Sequence, residues 1–239
     1  MPTLLHTLRT LHPLRRLARA VVAFVVLATS AQPAPAADDF SPAERALFMT
    51  NQLKSLKPPT TLRYTYRRSG SLEPVFHDVV AVKLRAQPGG ACCTANAEFL
   101  SGPRRLSLPE VEAGEGNPVI LYFLERDIRE MNRLTKGQAN YFRKRIRMAV
   151  YRGAAIEELN VSYQGKPVPA RRISVTPYAD DPLRVRFEKL ANKTYVFTLS
   201  DAVPGGVYSL RTRIDAEAAG SAPLISEEMV VEGGEAAGP

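Results

Sequence analysis

The segment KTYVFTLSDAVPGGVYSLRTRI, residues 193–214, reads as two strands folded onto each other. Tyr195, Phe197 and Leu199 share one side of its first half, and Tyr208 and Leu210 share one side of its second. Successive side chains of a strand point to opposite faces, so this spacing predicts a sheet with one buried face. Pro204-Gly205 sits between the halves and suits the centre of a type II turn, where glycine tolerates the positive φ. A sheet of this kind has to bury its apolar face against something else in the chain.

Other runs repeat the pattern. In TLRYTYRRSG, Leu62, Tyr64 and Tyr66 alternate with Arg63, Thr65 and Arg67; in VFHDVVAVKLR, Phe76, Val80, Val82 and Leu84 align. Ser69-Gly70-Ser71 lies between them, which predicts a hairpin. TANAEFLSGPRRLSL adds one or two strands, and PEVEAGEGN (109–117) is an acidic loop. Further on, NVSYQGKPV and RRISVTPY are expected to pair, LRVRFEKL alternates like a strand, and PLISEEMVV forms the last strand. The polar end, residues 233–239, is expected to be a disordered tail.

Helical signals fall in two places. Ser41, Pro42 and Glu44 form an N-cap, a first-turn proline and a capping box, and Leu47, Met49, Leu53 and Leu56 extend that helix to Lys57-Pro58-Pro59. Residues 118–152 form a helical pair. Leu124, Ile128 and Met131 make one stripe, Phe142, Ile146 and Val150 make another, and Thr135-Lys136-Gly137 breaks the run between them. The expected class is α+β. The favoured architecture is a curved antiparallel sheet, a half-barrel, with the N-terminal helix and the inserted helical pair against its concave face. The alternative is two lobes, with residues 155–232 forming a small sandwich.

The first 36 residues look like an export signal. Arg9, Arg15, Arg16 and Arg19 precede the apolar stretch AVVAFVVLATSA, and Ala34-Pro35-Ala36 offers a small-x-small cleavage site. The apolar core has about 12 residues, short of the roughly 20 that span a bilayer. Arg15-Arg16 leaves both general and twin-arginine export open. A single domain over residues 37–232 and a periplasmic or secreted location, after cleavage near Ala36, are the expectations.

Cleavage would change the chemistry available. The whole chain carries a formal charge of +8, but residues 1–36 hold four arginines and no acid, so the remainder carries +4. That argues against nucleic acid as a partner. His6 and His12 also fall in the signal, leaving His77 as the one histidine of the mature part. A Ser-His-Asp or Cys-His mechanism would have to use it, and it sits on the polar face of an expected strand. No catalytic constellation, metal set, P-loop or dinucleotide fingerprint is recognisable, so the expectation is a protein that is not an enzyme and takes no cofactor. Asp180-Asp181 before Pro182 reads as a turn, since calcium needs more oxygen ligands than this pair supplies.

Three groups of residues remain as candidates. Cys92 and Cys93 are adjacent; in a regular strand they would point apart, while a tight turn would let them pair, so their pairing is left open. Arg133, Lys136, Arg143 and Arg147 belong to a basic run on the helical pair. They are candidates for contact with an anionic membrane surface or an acidic partner, against the plainer reading of a solvated helix face. Tyr64, Tyr66, Phe76, Tyr195, Phe197 and Tyr208 lie on apolar strand faces and either form core or line an apolar ligand cavity.

The order of elements, an N-terminal helix, a strand group, the helical pair and a second strand group, resembles periplasmic lipoprotein-carrier folds of the LolA/LolB type. The segment NPVILYFLERDIREMNRLTKGQANYFRKRIR is also similar to part of a set of secreted proteobacterial proteins. The first resemblance implies a role in carrying an apolar or lipid-like ligand in the cell envelope. The alternative is an envelope assembly module that binds an acidic protein or polymer. A hydrolase is the least favoured class, given the single histidine.

Overall fold

The computed structural model describes residues 40–88, 92–112, 116–218 and 220–236. The expected signal peptide therefore lies outside the described residues, as do Gly89 and Gly90.

Nine strands form one antiparallel sheet. In chain order they are β1 (Thr60–Ser69), β2 (Phe76–Ala86), β3 (Cys92–Phe99), β4 (Val111–Glu112), β5 (Ala155–Tyr163), β6 (Lys166–Val175), β7 (Thr194–Leu199), β8 (Val207–Ile214) and β9 (Ile225–Val231). Across the sheet the order is β4-β3-β2-β1-β9-β8-β7-β6-β5. The two end strands, β4 and β5, do not meet, so the curved sheet stays open as a half-barrel. The last strand makes it continuous: Met229 of β9 lies opposite Tyr66 of β1 on one side and Leu210 of β8 on the other. The two-lobe alternative is excluded by that insertion.

The helices are α1 (Pro42–Glu44), α2 (Pro118–Thr135) and α3 (Ala139–Gly153). Asn117 caps α2, accepting from the N–H of Val119 at 3.0 Å, and its amide also donates to the Gly205 carbonyl at 2.7 Å. One buried side chain thus ties the start of the helix to the β7–β8 turn. Lys136 ends α2 in the left-handed conformation. α2 buries residues on more than one side, including Val119, Ile120, Phe123, Arg126, Asp127 and Met131, because it runs between the sheet and α3. α3 buries the single stripe Phe142, Ile146 and Val150 that its spacing predicts.

The β7–β8 turn is as expected. The N–H of Gly206 donates to the Val203 carbonyl at 3.0 Å, and Gly205 has φ 74°. A Cβ on Gly205 would come within 2.6 Å of a Leu62 methyl, so the residue needs glycine on two counts.

Four expectations are corrected. The N-terminal helix does not reach Leu56. Its capping box forms, but a π-helical turn over Arg45–Met49 follows and the chain leaves helix at Thr50. Polar side chains there take over the backbone: Thr50 Oγ1 donates to Arg45 O, Gln52 Nε2 donates to Ala46 O and Asn51 Oδ1 accepts from Leu53 N. LRVRFEKL is not a strand but two short 3₁₀ turns, Arg184–Arg186 and Glu188–Asn192. Asp181 starts them by accepting the N–H of Leu183 at 2.7 Å, and the alternation hides opposite fates: Phe187 is buried while Val185 is 85% exposed. The run NVSYQGKPV is not one strand: Gln164-Gly165 is the hairpin turn itself, with φ 51° and 74°. Finally, the start of the expected disordered tail is docked. Gly233 O accepts from Gln164 N at 2.7 Å, and Glu235 N donates to Tyr208 Oη at 2.9 Å. Backbone pairing holds this end, so its polar composition carries no sign of it.

Candidate functional site

The helical pair, the N-terminal segment and the β4 edge of the sheet together form a groove. Leu121, Leu124, Glu125, Ile128 and Arg129 recur at spacings of three and four and so share one face of α2. Arg143, Ile146 and Arg147 face them from α3. Phe48 from the N-terminal segment, together with Pro109 and Val111 from β4 and its approach, completes the walls. The groove measures about 460 Å³, within the range of small-ligand sites, and its walls are apolar except at the charged rim. Leu121, 41% exposed, is the large apolar side chain that α2 leaves open there. The β4 wall is anchored by Tyr122, whose hydroxyl lies 2.7 Å from the Ala95 carbonyl and 3.0 Å from that of Pro109.

The rim is basic. Glu125 is shared between Arg143 at 2.7 Å and Arg129 at 3.3 Å. Arg147 has Glu44 at 3.9 Å, and the other oxygen of that carboxylate accepts the Ser41 N–H in the α1 capping box.

Beneath α2 lies a second feature, a network of buried charges. Arg126 is paired with Glu227 of β9. Glu227 is also 3.5 Å from Arg68 of β1, which reaches back to Glu130 at 2.9 Å. Alongside, Lys193 is paired with Asp127. Tyr195 donates to Asp127 at 2.6 Å, so the Tyr178 hydroxyl, 3.1 Å from Tyr195, is the donor in that contact. Burial would raise the Glu227 carboxyl, but the charge of Arg126, with help from Lys193 and Arg68, holds it below its ordinary range. Burial likewise opposes ionisation of Glu130, yet hydrogen bonds from Arg133 and the charges of Arg126 and Arg68 lower it to about 2. The network joins α2 to β1, β7, β9 and the turn before β7. It shares no residue with the lining of the groove.

The sequence candidates are distributed as follows. Tyr64, Tyr66, Tyr195 and Phe197 are fully buried on the concave face, Tyr208 is buried at the docked end of the chain, and Phe76 is half-buried and stacks on Tyr66 at 5.8 Å. None of these six lines the groove. Tyr195 belongs to the buried network. The hydroxyls of Tyr64 and Tyr66 have no hydrogen-bond partner among the described residues. Of the basic candidates, Arg143 and Arg147 come together at the rim; Arg133 is instead held by Glu73 at 2.7 Å and Glu130 at 2.8 Å, and Lys136 caps α2. Cys92 and Cys93 pair with each other at the start of β3, across a cis peptide, where the register with β2 slips. His77 is exposed on β2 opposite Arg67. Asp181 anchors its turn and takes Arg145 at 2.9 Å and Tyr141 at 2.6 Å; burial and that bond push the Tyr141 hydroxyl up to about 12.

Sequence reasoning missed the groove lining and the network. The first has a signal only in retrospect, since Leu121 extends the α2 stripe sideways. The second was visible: Arg68 keeps the phase of Leu62, Tyr64 and Tyr66, and Glu227 keeps the phase of Ile225 and Met229, so charges of opposite sign stand at core-facing positions. Among the described residues, no three His, Cys, Asp or Glu side chains gather as a metal site. No helix among them is long and apolar enough to cross a membrane.

No family model matches the chain, and no curated protein matches it. Among solved structures it is similar to the lipoprotein LppX of Mycobacterium tuberculosis, at 8% identity and a TM-score of 0.30, over 77% of this chain and 91% of that one. The likeness is one of architecture and is weak; it carries no argument about function.

Proposed function

We propose that this chain is an exported, non-enzymatic binding or carrier protein that holds an apolar chain in the groove between α2 and α3. The observation that carries the reading is the groove itself, a space of about 460 Å³ with apolar walls that the fold leaves open. Leu121 stands 41% exposed in that apolar surface, and an occupant of the groove would take it out of water. Binding there would be driven by removing chain methylenes from water. The export signal expected in residues 1–36 supports a place in the cell envelope. The acidic-polymer alternative loses support because Arg133 and Arg145 are already paired with Glu73, Glu130, Asp180 and Asp181.

The chain contains no tryptophan, so Phe48→Trp places a single reporter in the groove wall. Titration with dodecyl maltoside below its micellar concentration is expected to give a saturable blue shift in emission. Adding Leu121→Gln, which puts an amide where the chain would lie, is expected to weaken binding about tenfold. A linear, non-saturating response, or one indifferent to Leu121→Gln, would sink the reading.

A further inference from the structure

We infer that the occupant of the groove is a single-chain amphiphile with an anionic headgroup, held at the mouth by Arg143 and Arg147. The inference rests on the proposed function and specifies the ligand. The groove is at the small end of ligand sites, which suits one alkyl chain rather than two. Among the described residues its charged lining is unbalanced: Arg129, Arg143 and Arg147 against Glu125. One carboxylate cannot neutralise the two guanidiniums it touches, at 2.7 and 3.3 Å. Arg147 is the freer of the α3 pair. Its side chain is 71% exposed, and Glu44, its ion-pair partner, stands 3.9 Å away and is engaged by the Ser41 N–H.

Arg143 and Arg147 are four residues apart, so they stand one above the other on the same side of α3 as Ile146. A ligand whose chain lies on Ile146, Leu121 and Ile128 therefore ends beside two guanidiniums. Guanidinium presents a planar fork of donors that matches carboxylate, sulfate or phosphate oxygens. A cationic headgroup at that place would meet like charge, and a neutral one would forgo the attraction while leaving the chain contacts intact.

The test compares three ligands with the same dodecyl chain on the Phe48→Trp protein: laurate, dodecyl maltoside and dodecyltrimethylammonium, all below their micellar concentrations and at low salt. Laurate is expected to bind about tenfold more tightly than the maltoside, with the cation weakest. Arg143→Gln with Arg147→Gln is expected to erase the preference for laurate over the maltoside, and Arg143→Glu with Arg147→Glu to reverse the order of the two charged ligands. Circular dichroism confirms that each variant is folded, and the glutamine pair serves if the glutamate pair is not. Equal binding of laurate and maltoside, or a laurate preference that survives the glutamine pair, would overturn the headgroup assignment while the apolar groove stands. No binding of any of the three would overturn the groove reading, and the headgroup assignment with it.

Discussion

Arg126 of α2 and Glu227 of β9 form an ion pair inside the protein, with side chains only 7% and 1% exposed. Breaking such a pair from one side leaves a buried charge without its counter-ion. Glu227→Ala is therefore expected to lower the unfolding free energy by about 3–5 kcal/mol, read from urea denaturation. Arg126→Met combined with Glu227→Met removes both charges and should cost less than the single change. A double variant less stable than Glu227→Ala would contradict this account.

Acid should attack the same network. Glu130 is lowered from 4.5 to about 2 in the folded protein, so the folded state favours its ionised form. A depressed carboxylate contributes its full stabilisation above the unfolded value and loses it as pH falls toward the folded value. Stability should thus decline between about pH 4.5 and about pH 2, with Glu227 acting in the same direction. Glu130→Gln should flatten that decline and lower stability at neutral pH, as seen in melting temperature against pH.

Two neighbouring kinds of tyrosine should respond oppositely to loss of their hydroxyls. Tyr195 donates to Asp127, so Tyr195→Phe removes a charge-assisted bond and should cost about 1.5–3 kcal/mol. Tyr64 is buried with its hydroxyl unpartnered among the described residues, so Tyr64→Phe should be neutral or stabilising by up to about 1 kcal/mol. Thermal denaturation of the two variants side by side decides the matter.

At the β7–β8 turn, Gly205→Ala meets both a positive φ and the Leu62 methyl. The expected loss is at least about 1 kcal/mol. Leu62→Ala would make room for the added methyl but not relieve the φ, so it should rescue only part of the turn defect when the two changes are combined in a double-mutant cycle.

Much of the fold could be read from local patterns because those patterns have a short physical range. Tyr195, Phe197 and Leu199 declare a strand face by alternation alone, and Phe142, Ile146 and Val150 declare a helix face by their spacing. Pro204-Gly205 declares its turn because few residues accept the φ it needs. The failures occurred where local side-chain-to-backbone bonds or tertiary packing overrode the pattern. LRVRFEKL alternates, yet Asp181 and the packing of Phe187 turn it into 3₁₀ segments. Leu53 is buried as its position in the apolar pattern suggests, but it arrives there through a turn rather than along a helix.

By itself, the sequence determined the antiparallel strands, the helical pair and their apolar faces, all of which follow from side-chain period. Tertiary structure decided what those faces meet. It set β9 between β1 and β8, paired Arg126 with Glu227 across 101 residues of chain, and brought Phe48 and Val111 against α2 and α3 to make a groove. Nothing in local periodicity encodes such meetings. They depend on which buried surfaces and charges find complements once the described residues pack together.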